Sequence, residues 1–177
     1  MARFRRRWSV MSLFVVMFWL LGLTLQSQNV YAEKKKVTGT GTSVMILSQT
    51  KMYPGDVPKH VLTVTTRLGT DKSPNPDFDN SQVTIMGVSD YTAGTGVHRG
   101  YRSVVMPSGD KWFAGYEGMT KTVPKEGEFP QTTFEGKWWF TGGTGKFKGV
   151  TGGGTYEGQV TKTGVTYDWE GEYDLKK

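Results

Sequence analysis

The sequence predicts an all-β domain, an antiparallel barrel in preference to a sandwich, and three observations carry that expectation. Apolar residues alternate with period two, no stretch combines a helical stripe with capping signals, and glycines recur on the aromatic face of the strands. Alternation is clearest in "VTYDWEGEY", where Val165, Tyr167, Trp169, Gly171 and Tyr173 share one face and Thr166, Asp168, Glu170 and Glu172 the other. In "TFEGKWWF" Phe134, Gly136, Trp138 and Phe140 oppose Thr133, Glu135, Lys137 and Trp139. In "TYEGQVT" Tyr156, Gly158 and Val160 oppose Thr155, Glu157, Gln159 and Thr161. Each reads as a half-buried strand.

Less regular strand candidates precede these: "TSVMILSQT" near Thr42, "HVLTVTTRL" from His60, "SQVTIMGV" from Ser81, "VHRGYRSVVM" from Val97 and "KWFAGYEGM" from Lys111. "PSGD" (Pro107 to Asp110) and "KTG" (Lys162 to Gly164) read as short hairpin turns. Longer connections fall at "YPGDVP", "GTDKSPNPDFDN" and "VPKEGEFPQ". Eight or so antiparallel strands without covering helices leave a closed barrel or a sandwich. Gly136, Gly158 and Gly171 favour the barrel, because a missing side chain lets a sheet bend and leaves room for a large neighbour.

Ahead of that domain, "MARFRRR" is basic and "WSVMSLFVVMFWLLGLTL" is apolar and uncharged, the pattern of a signal peptide. Val30 and Ala32 supply the small residues of a cleavage site, so residues 1–32 read as leader and 33–177 as a single β-barrel domain, exported to periplasm or medium. An uncleaved anchor is the competing reading, since Trp8 to Leu25 approaches a span of ~20 residues; cleavage leaves no membrane association.

The formal charge of +6 is mostly leader. Removing Arg3, Arg5, Arg6 and Arg7 from 22 basic residues leaves 18 against 16 acidic ones, an excess of +2, too little and too dispersed for a nucleic-acid partner. With no cysteine there is neither a disulfide nor a lipid-modified amino-terminal cysteine.

The stretch "FTGGTGKFKGVTGGGTYEG" invites a phosphate-loop reading and fails it. Aligned on Gly145 and Lys146, that motif needs glycine at 140 and a hydroxyl residue at 147, where Phe140 and Phe147 stand. A dinucleotide fingerprint fails as well, since the third glycine falls at 149 instead of 148 and no helix follows. The glycines read as barrel corners, with Phe147 tucked in as an anchor and Lys146 and Lys148 as solvated flanks. "NPDFDN" resembles the start of a calcium loop, but the twelfth position from Asn75 is Met86, so it reads as a solvated turn. His60 and His98 are the only histidines, too few for a zinc site, and no nucleophile elbow is present. No metal and no cofactor is predicted.

The run "GKWWFTGGTGKFKGVTGGGTYEG", with its turn Gly142, Gly143, Thr144, Gly145, Lys146, Phe147, Lys148 and Gly149, resembles the signature of the allene oxide cyclase-like barrel superfamily. That group includes the plant dirigent proteins and uncharacterised bacterial exported members. "GDKWFAGYEG" (Gly109 to Gly118) is similar to an earlier strand of the bacterial branch. The resemblance covers about Gly109 to Tyr173. It implies an eight-stranded antiparallel barrel with a mostly apolar interior, assembled into trimers in the plant relatives. The acidic and amide cavity residues of the cyclases find no match in "TSVMILSQT" or "HVLTVTTRL", which offer no carboxylate. Arg102 and Glu117 are candidates for the charged cavity residues of dirigent proteins.

The aromatic face, Phe134, Trp138, Phe140, Tyr156, Tyr167, Trp169 and Tyr173, is the candidate ligand-binding surface, with Tyr167, Trp169 and Trp138 supplying polar contacts to an apolar guest. Plain packing competes with that reading, because an eight-stranded barrel is just wide enough to be filled or to hold one small ligand. Three functions follow: an exported barrel that binds a small hydrophobic molecule, an isomerase or cyclase of allene oxide cyclase type, or a solid structural protein of the cell envelope. A filled interior removes the first two. A buried carboxylate or arginine on a cavity favours the enzyme, and a purely aromatic lining favours binding.

Overall fold

The computed structural model describes residues 34–175, so the leader read at residues 1–32 lies outside the described residues. Eight strands follow in order: β1 (Lys35–Met52), β2 (His60–Lys72), β3 (Ser81–Thr92), β4 (Thr95–Val105), β5 (Lys111–Val123), β6 (Gln131–Gly143), β7 (Val150–Thr161) and β8 (Gly164–Leu175). A single 3-10 turn, Gly145–Phe147, links β6 to β7. Each strand pairs antiparallel with the next, and β8 pairs with β1, so the sheet closes into a barrel and leaves no edge.

The stagger of the closed sheet follows from its register. The inward row Val61, Tyr91, Gly96, Thr120, Phe134, Gly158, Tyr167, Gly41 passes once round the barrel and returns to β2 at Asp71, ten residues beyond Val61 (71 − 61). At ~3.3 Å per residue and ~4.8 Å between strands, that stagger tilts the strands by about 40°. An eight-stranded barrel staggered by eight is a packed core. The two extra residues of stagger widen the radius by about 0.6–0.7 Å on the same spacings. Interior volume therefore has to be filled at one end and is left over at the other.

The filled end holds the β2–β3, β4–β5 and β6–β7 connections. Phe78 of the β2–β3 loop enters it, 1 % exposed, with ring centroids 4.9 Å from Tyr173, 5.2 Å from Phe147, 6.1 Å from Trp112 and 6.3 Å from Trp169. The sequence expectation of a solvated turn at "NPDFDN" is corrected here: the loop is a plug. Its polar groups satisfy one another, with Asp77 N–H donating to Asn75 Oδ1 at 3.0 Å and Ser73 N–H to Asp79 Oδ1 at 3.0 Å. Backbone so paired can lie across a barrel end without orphaned donors.

Phe147 is fully buried, as the glycine-rich corner leads one to expect. Lys146 is more than a solvated flank: its ammonium meets Asp77 Oδ1 at 2.9 Å and so ties the corner to the plug. At Gly145 and Gly149 the backbone has φ of 56° and 75°, which glycine adopts without a Cβ penalty.

Two other elements differ from the sequence reading. β1 begins at Lys35, well ahead of "TSVMILSQT", because Val37, Gly39, Gly41 and Ser43 alternate inward although only one of them is apolar and large. Between β3 and β4 the two-residue turn Ala93–Gly94 has positive φ at both positions, 53° and 81°, the hairpin geometry that matches strand twist.

Removing the plug ring tests its role. Phe78→Ala is expected to cost about 3–5 kcal/mol, read as a lowered midpoint in urea unfolding; a loss under about 1 kcal/mol would show the ring to be dispensable.

Candidate functional site

Above the plugged half the barrel encloses a lumen of about 410 Å³, within the range of small-molecule sites. Its mouth lies where β1, β3, β5 and β7 end and β2, β4, β6 and β8 begin, ringed by Val61, Tyr91, Thr122, Thr132 and Val160. Ile85, Phe134, Val165, Trp138 and Tyr167 supply apolar wall, the last two at the boundary with the filled half.

The lumen exists because rings lie across the wall instead of pointing at the axis. A Cβ on Gly118 would fall 2.7 Å from Tyr156 Oη, one on Gly100 2.7 Å from Tyr116 Oη, one on Gly158 2.5 Å from Phe134 Cζ, and one on Gly171 2.8 Å from Trp138 Cζ2. Tyr116 and Phe134 rest on the bare backbone of the adjacent strand, whereas Tyr156 and Trp138 reach across one strand to the bare backbone of the strand beyond it. The bottom of the lumen is polar although buried. Arg102 Nη2 donates to Asp71 Oδ2 at 2.5 Å, and Tyr167 Oη donates to Asp71 Oδ1 at 2.6 Å. Asp71 is wholly buried and Arg102 is 8 % exposed, with its guanidinium 5.3 Å from the Tyr167 ring and 5.5 Å from that of Trp112. Burial opposes the charge on Arg102, yet the adjoining Asp71 carboxylate more than offsets it and holds the guanidinium pKa above its usual value. Burial likewise raises the Tyr167 phenol, which stays a donor.

A second polar chain crosses four strands nearer the mouth. Tyr156 Oη and His98 Nε2 are 2.6 Å apart, His98 Nδ1 and Thr120 Oγ1 2.9 Å, and Tyr91 Oη and Thr120 Oγ1 2.8 Å. Burial lowers the His98 pKa, so the imidazole is neutral at pH 7, one nitrogen donating and the other accepting. Burial pushes the Tyr116 phenol up to about 12, with the nearby charges of Arg102 and Arg67 pulling the other way.

At the rim, His60 stands between two carboxylates, Nδ1 at 2.5 Å from Asp56 Oδ1 and Nε2 at 2.8 Å from Asp90 Oδ1. Both nitrogens can donate only as imidazolium. These hydrogen bonds, to Asp56 first and then Asp90, raise the His60 pKa, and the bond from His60 lowers that of Asp56. The clasp fastens the β1–β2 loop to the end of β3.

The structure divides the seven rings singled out in the sequence. Phe134, Trp138, Tyr156 and Tyr167 line the lumen, whereas Phe140, Trp169 and Tyr173 lie in the filled half against Phe78. Two of the three expected polar handles are engaged elsewhere, Trp138 Nε1 donating to the carbonyls of Thr155 and Glu170 at 3.2 and 3.1 Å and Tyr167 to Asp71, while Trp169 Nε1 is buried in the filled half without a hydrogen-bond partner. Of the two candidate charged residues, Arg102 is on the lumen and Glu117 is on the outer face.

The expectation that the early strands bring no carboxylate is corrected by Asp71, which lies just past "HVLTVTTRL" because β2 runs on to Lys72. Sequence reasoning also passed over Arg67, His98 and Tyr116 as lumen residues. The available signal was alternation, since Arg67 and Asp71 both fall in phase with Thr63 on β2.

Compared with protein-family models and with curated proteins, the sequence matches none.

Two outcomes test this geometry. Asp71→Ala leaves a buried guanidinium unpaired and is expected to cost about 3–5 kcal/mol, while replacing the pair together, Asp71→Leu with Arg102→Met, costs much less; urea unfolding of the three proteins decides. For the rim, a pKa raised on folding means stability that is full below the unfolded value of 6.5 and fades as pH rises through the higher folded value. The wild-type protein is therefore expected to exceed His60→Gln in stability at pH 5.5 and to lose that margin progressively as pH rises above 6.5, measured as the difference in unfolding midpoint.

Proposed function

We propose that the chain is an exported barrel that binds one small, largely apolar molecule in its lumen. The observation that carries this reading is the lumen of about 410 Å³ with one mouth and a floor of buried, mutually paired polar groups. Walls of Ile85, Phe134, Trp138 and Val165 give a guest apolar surface to cover, and the hydroxyl groups of Thr120, Thr122 and Thr132 give it few but fixed polar partners. An open lumen does not suit a solid structural protein. Export rests on the basic start and apolar run of residues 1–32.

A second reading, an isomerase or cyclase of allene oxide cyclase type, is favoured by one feature: an arginine with a buried carboxylate behind it touches the lumen, and a neutral imidazole stands above it. Such a site would hold a reactive guest in one folded conformation and exclude water. Self-association, the trimer implied by the resemblance, is supported by an outward apolar cluster on β2–β4, where Val64 neighbours Val88 and Met86 neighbours Tyr101.

Native mass spectrometry of the protein purified from its own host is expected to show a co-purifying small molecule that is released on unfolding, and it counts subunits in the same spectrum. Bare protein from every preparation, together with no change in the amide spectrum on adding small apolar compounds, would remove the binding reading. Conversion of the released guest into an isomer on incubation with fresh protein would establish the second.

A further inference from the structure

We infer that the guest is a compact acid, a ring system carrying one carboxylate or equivalent anion, and that the Arg67 guanidinium is its anchor. The inference rests on the binding reading and adds the chemical class of the ligand.

Charge is the first ground. The residues lining the lumen include Lys51, Arg67 and Arg102 and, among the described residues, no aspartate or glutamate. Arg102 is already neutralised by Asp71 behind it. Arg67 has no carboxylate within ion-pair distance among the described residues. It points inward from β2 in the row of Ile85 and Arg102, half-buried, below the threonines of the mouth. Apolar walls of low polarizability strengthen its field, and a cleft lined by one sign of charge concentrates ions of the other. A neutral guest of the same shape would cover the guanidinium without pairing it, which is costly for a charged donor.

Shape is the second ground. The plugged half, with Phe78 among Trp112, Phe147, Trp169 and Tyr173, blocks the axis below Trp138 and Tyr167. The lumen is therefore a cup closed at one end and not a tunnel. A long flexible chain would have to coil in it and lose conformational freedom, whereas a fused ring system fills it rigidly and meets the faces of Tyr116, Phe134 and Tyr156.

The experiment compares three probes by isothermal titration at pH 7.5: 2-naphthoate, its neutral counterpart 2-naphthylmethanol, and hexadecanoate. The wild-type protein is expected to bind 2-naphthoate at least ten-fold more tightly than 2-naphthylmethanol. In Arg67→Gln that preference is expected to fall within three-fold while affinity for the alcohol is kept, which shows the cup intact; Arg67→Lys is expected to retain most of the preference. Equal affinities in the wild-type protein, or an unchanged preference in Arg67→Gln, overturn the anchor. Tighter binding of hexadecanoate than of 2-naphthoate overturns the compact guest. If neither naphthalene compound binds while a guest co-purifies with the protein, the inference falls and the binding reading stands; if neither binds and nothing co-purifies, both fall.

Discussion

A ring on one strand lying over a bare Cα one or two strands away is the unit from which this interior is assembled. Eight strands enclose little more space than their own side chains fill, so a large ring aimed at the axis closes the barrel. Tyr116, Phe134, Trp138 and Tyr156 avoid that by lying on the backbone of Gly100, Gly158, Gly171 and Gly118, at distances where a methyl group would collide. Burial of the rings stabilises the wall, and the space at the axis is spared. In the other half no such economy is made, and Phe78 is brought in from a loop to complete the packing. One barrel thus has a solid end, which supplies stability, and a hollow end, which costs some of it.

The polar groups inside follow from the same closure. Once Asp71 is carried inward by the alternation of β2, it has no water to turn to, and an isolated carboxylate there would be costly. Arg102 from β4 and Tyr167 from β8 converge on it, so three strands are cross-linked at the boundary between solid and hollow halves. Such a pair adds little net stability over apolar residues of the same shape, yet either member alone would be disruptive. His98 meets the same pressure differently. With hydroxyl groups on both sides and no carboxylate, it gives up its proton and stays neutral. His60, at the wet rim, has its pKa raised by its hydrogen bonds to two carboxylates. Two histidines in one barrel have their pKa values moved in opposite directions by their surroundings.

These arrangements bear on function through what they leave over. Most interior donors are spent on the protein itself: Trp138 on backbone carbonyls, Tyr167 on Asp71, Tyr156 on His98. Among the described residues the half-buried positive charge on the lumen that finds no carboxylate is on Arg67, with Lys51 exposed beside it, and the surface that finds no internal cover is the upper wall. A guest that satisfies both is favoured by the same rules that organise the fold. Neutral His98 is compatible with acid–base work on such a guest, and the permanently charged Arg102 with holding negative charge on it, which is why a catalytic reading stands beside the binding one.

Period-two alternation and the absence of helical stripes were sufficient by themselves to determine an all-β chain with three aromatic strands at its end, because each strand's pattern is local. The glycine-rich corner around Phe147 was legible for the same reason: its chemistry is set by neighbours in sequence. The beginning of β1 was not, since "VTGTG" carries glycines whose inward placement has meaning only beside Trp169 and Tyr167 of β8. The plug was hidden in an acidic loop that reads as solvated until Phe78 is placed between rings from β5 and β8 and the β6–β7 turn. The site was the least legible part. Whether seven rings fill a barrel or line it depends on a stagger of ten and on which strand lies beside which glycine. Only closure of the sheet, which brings β8 against β1 and carries Asp71 to within reach of Arg102, decides those distances.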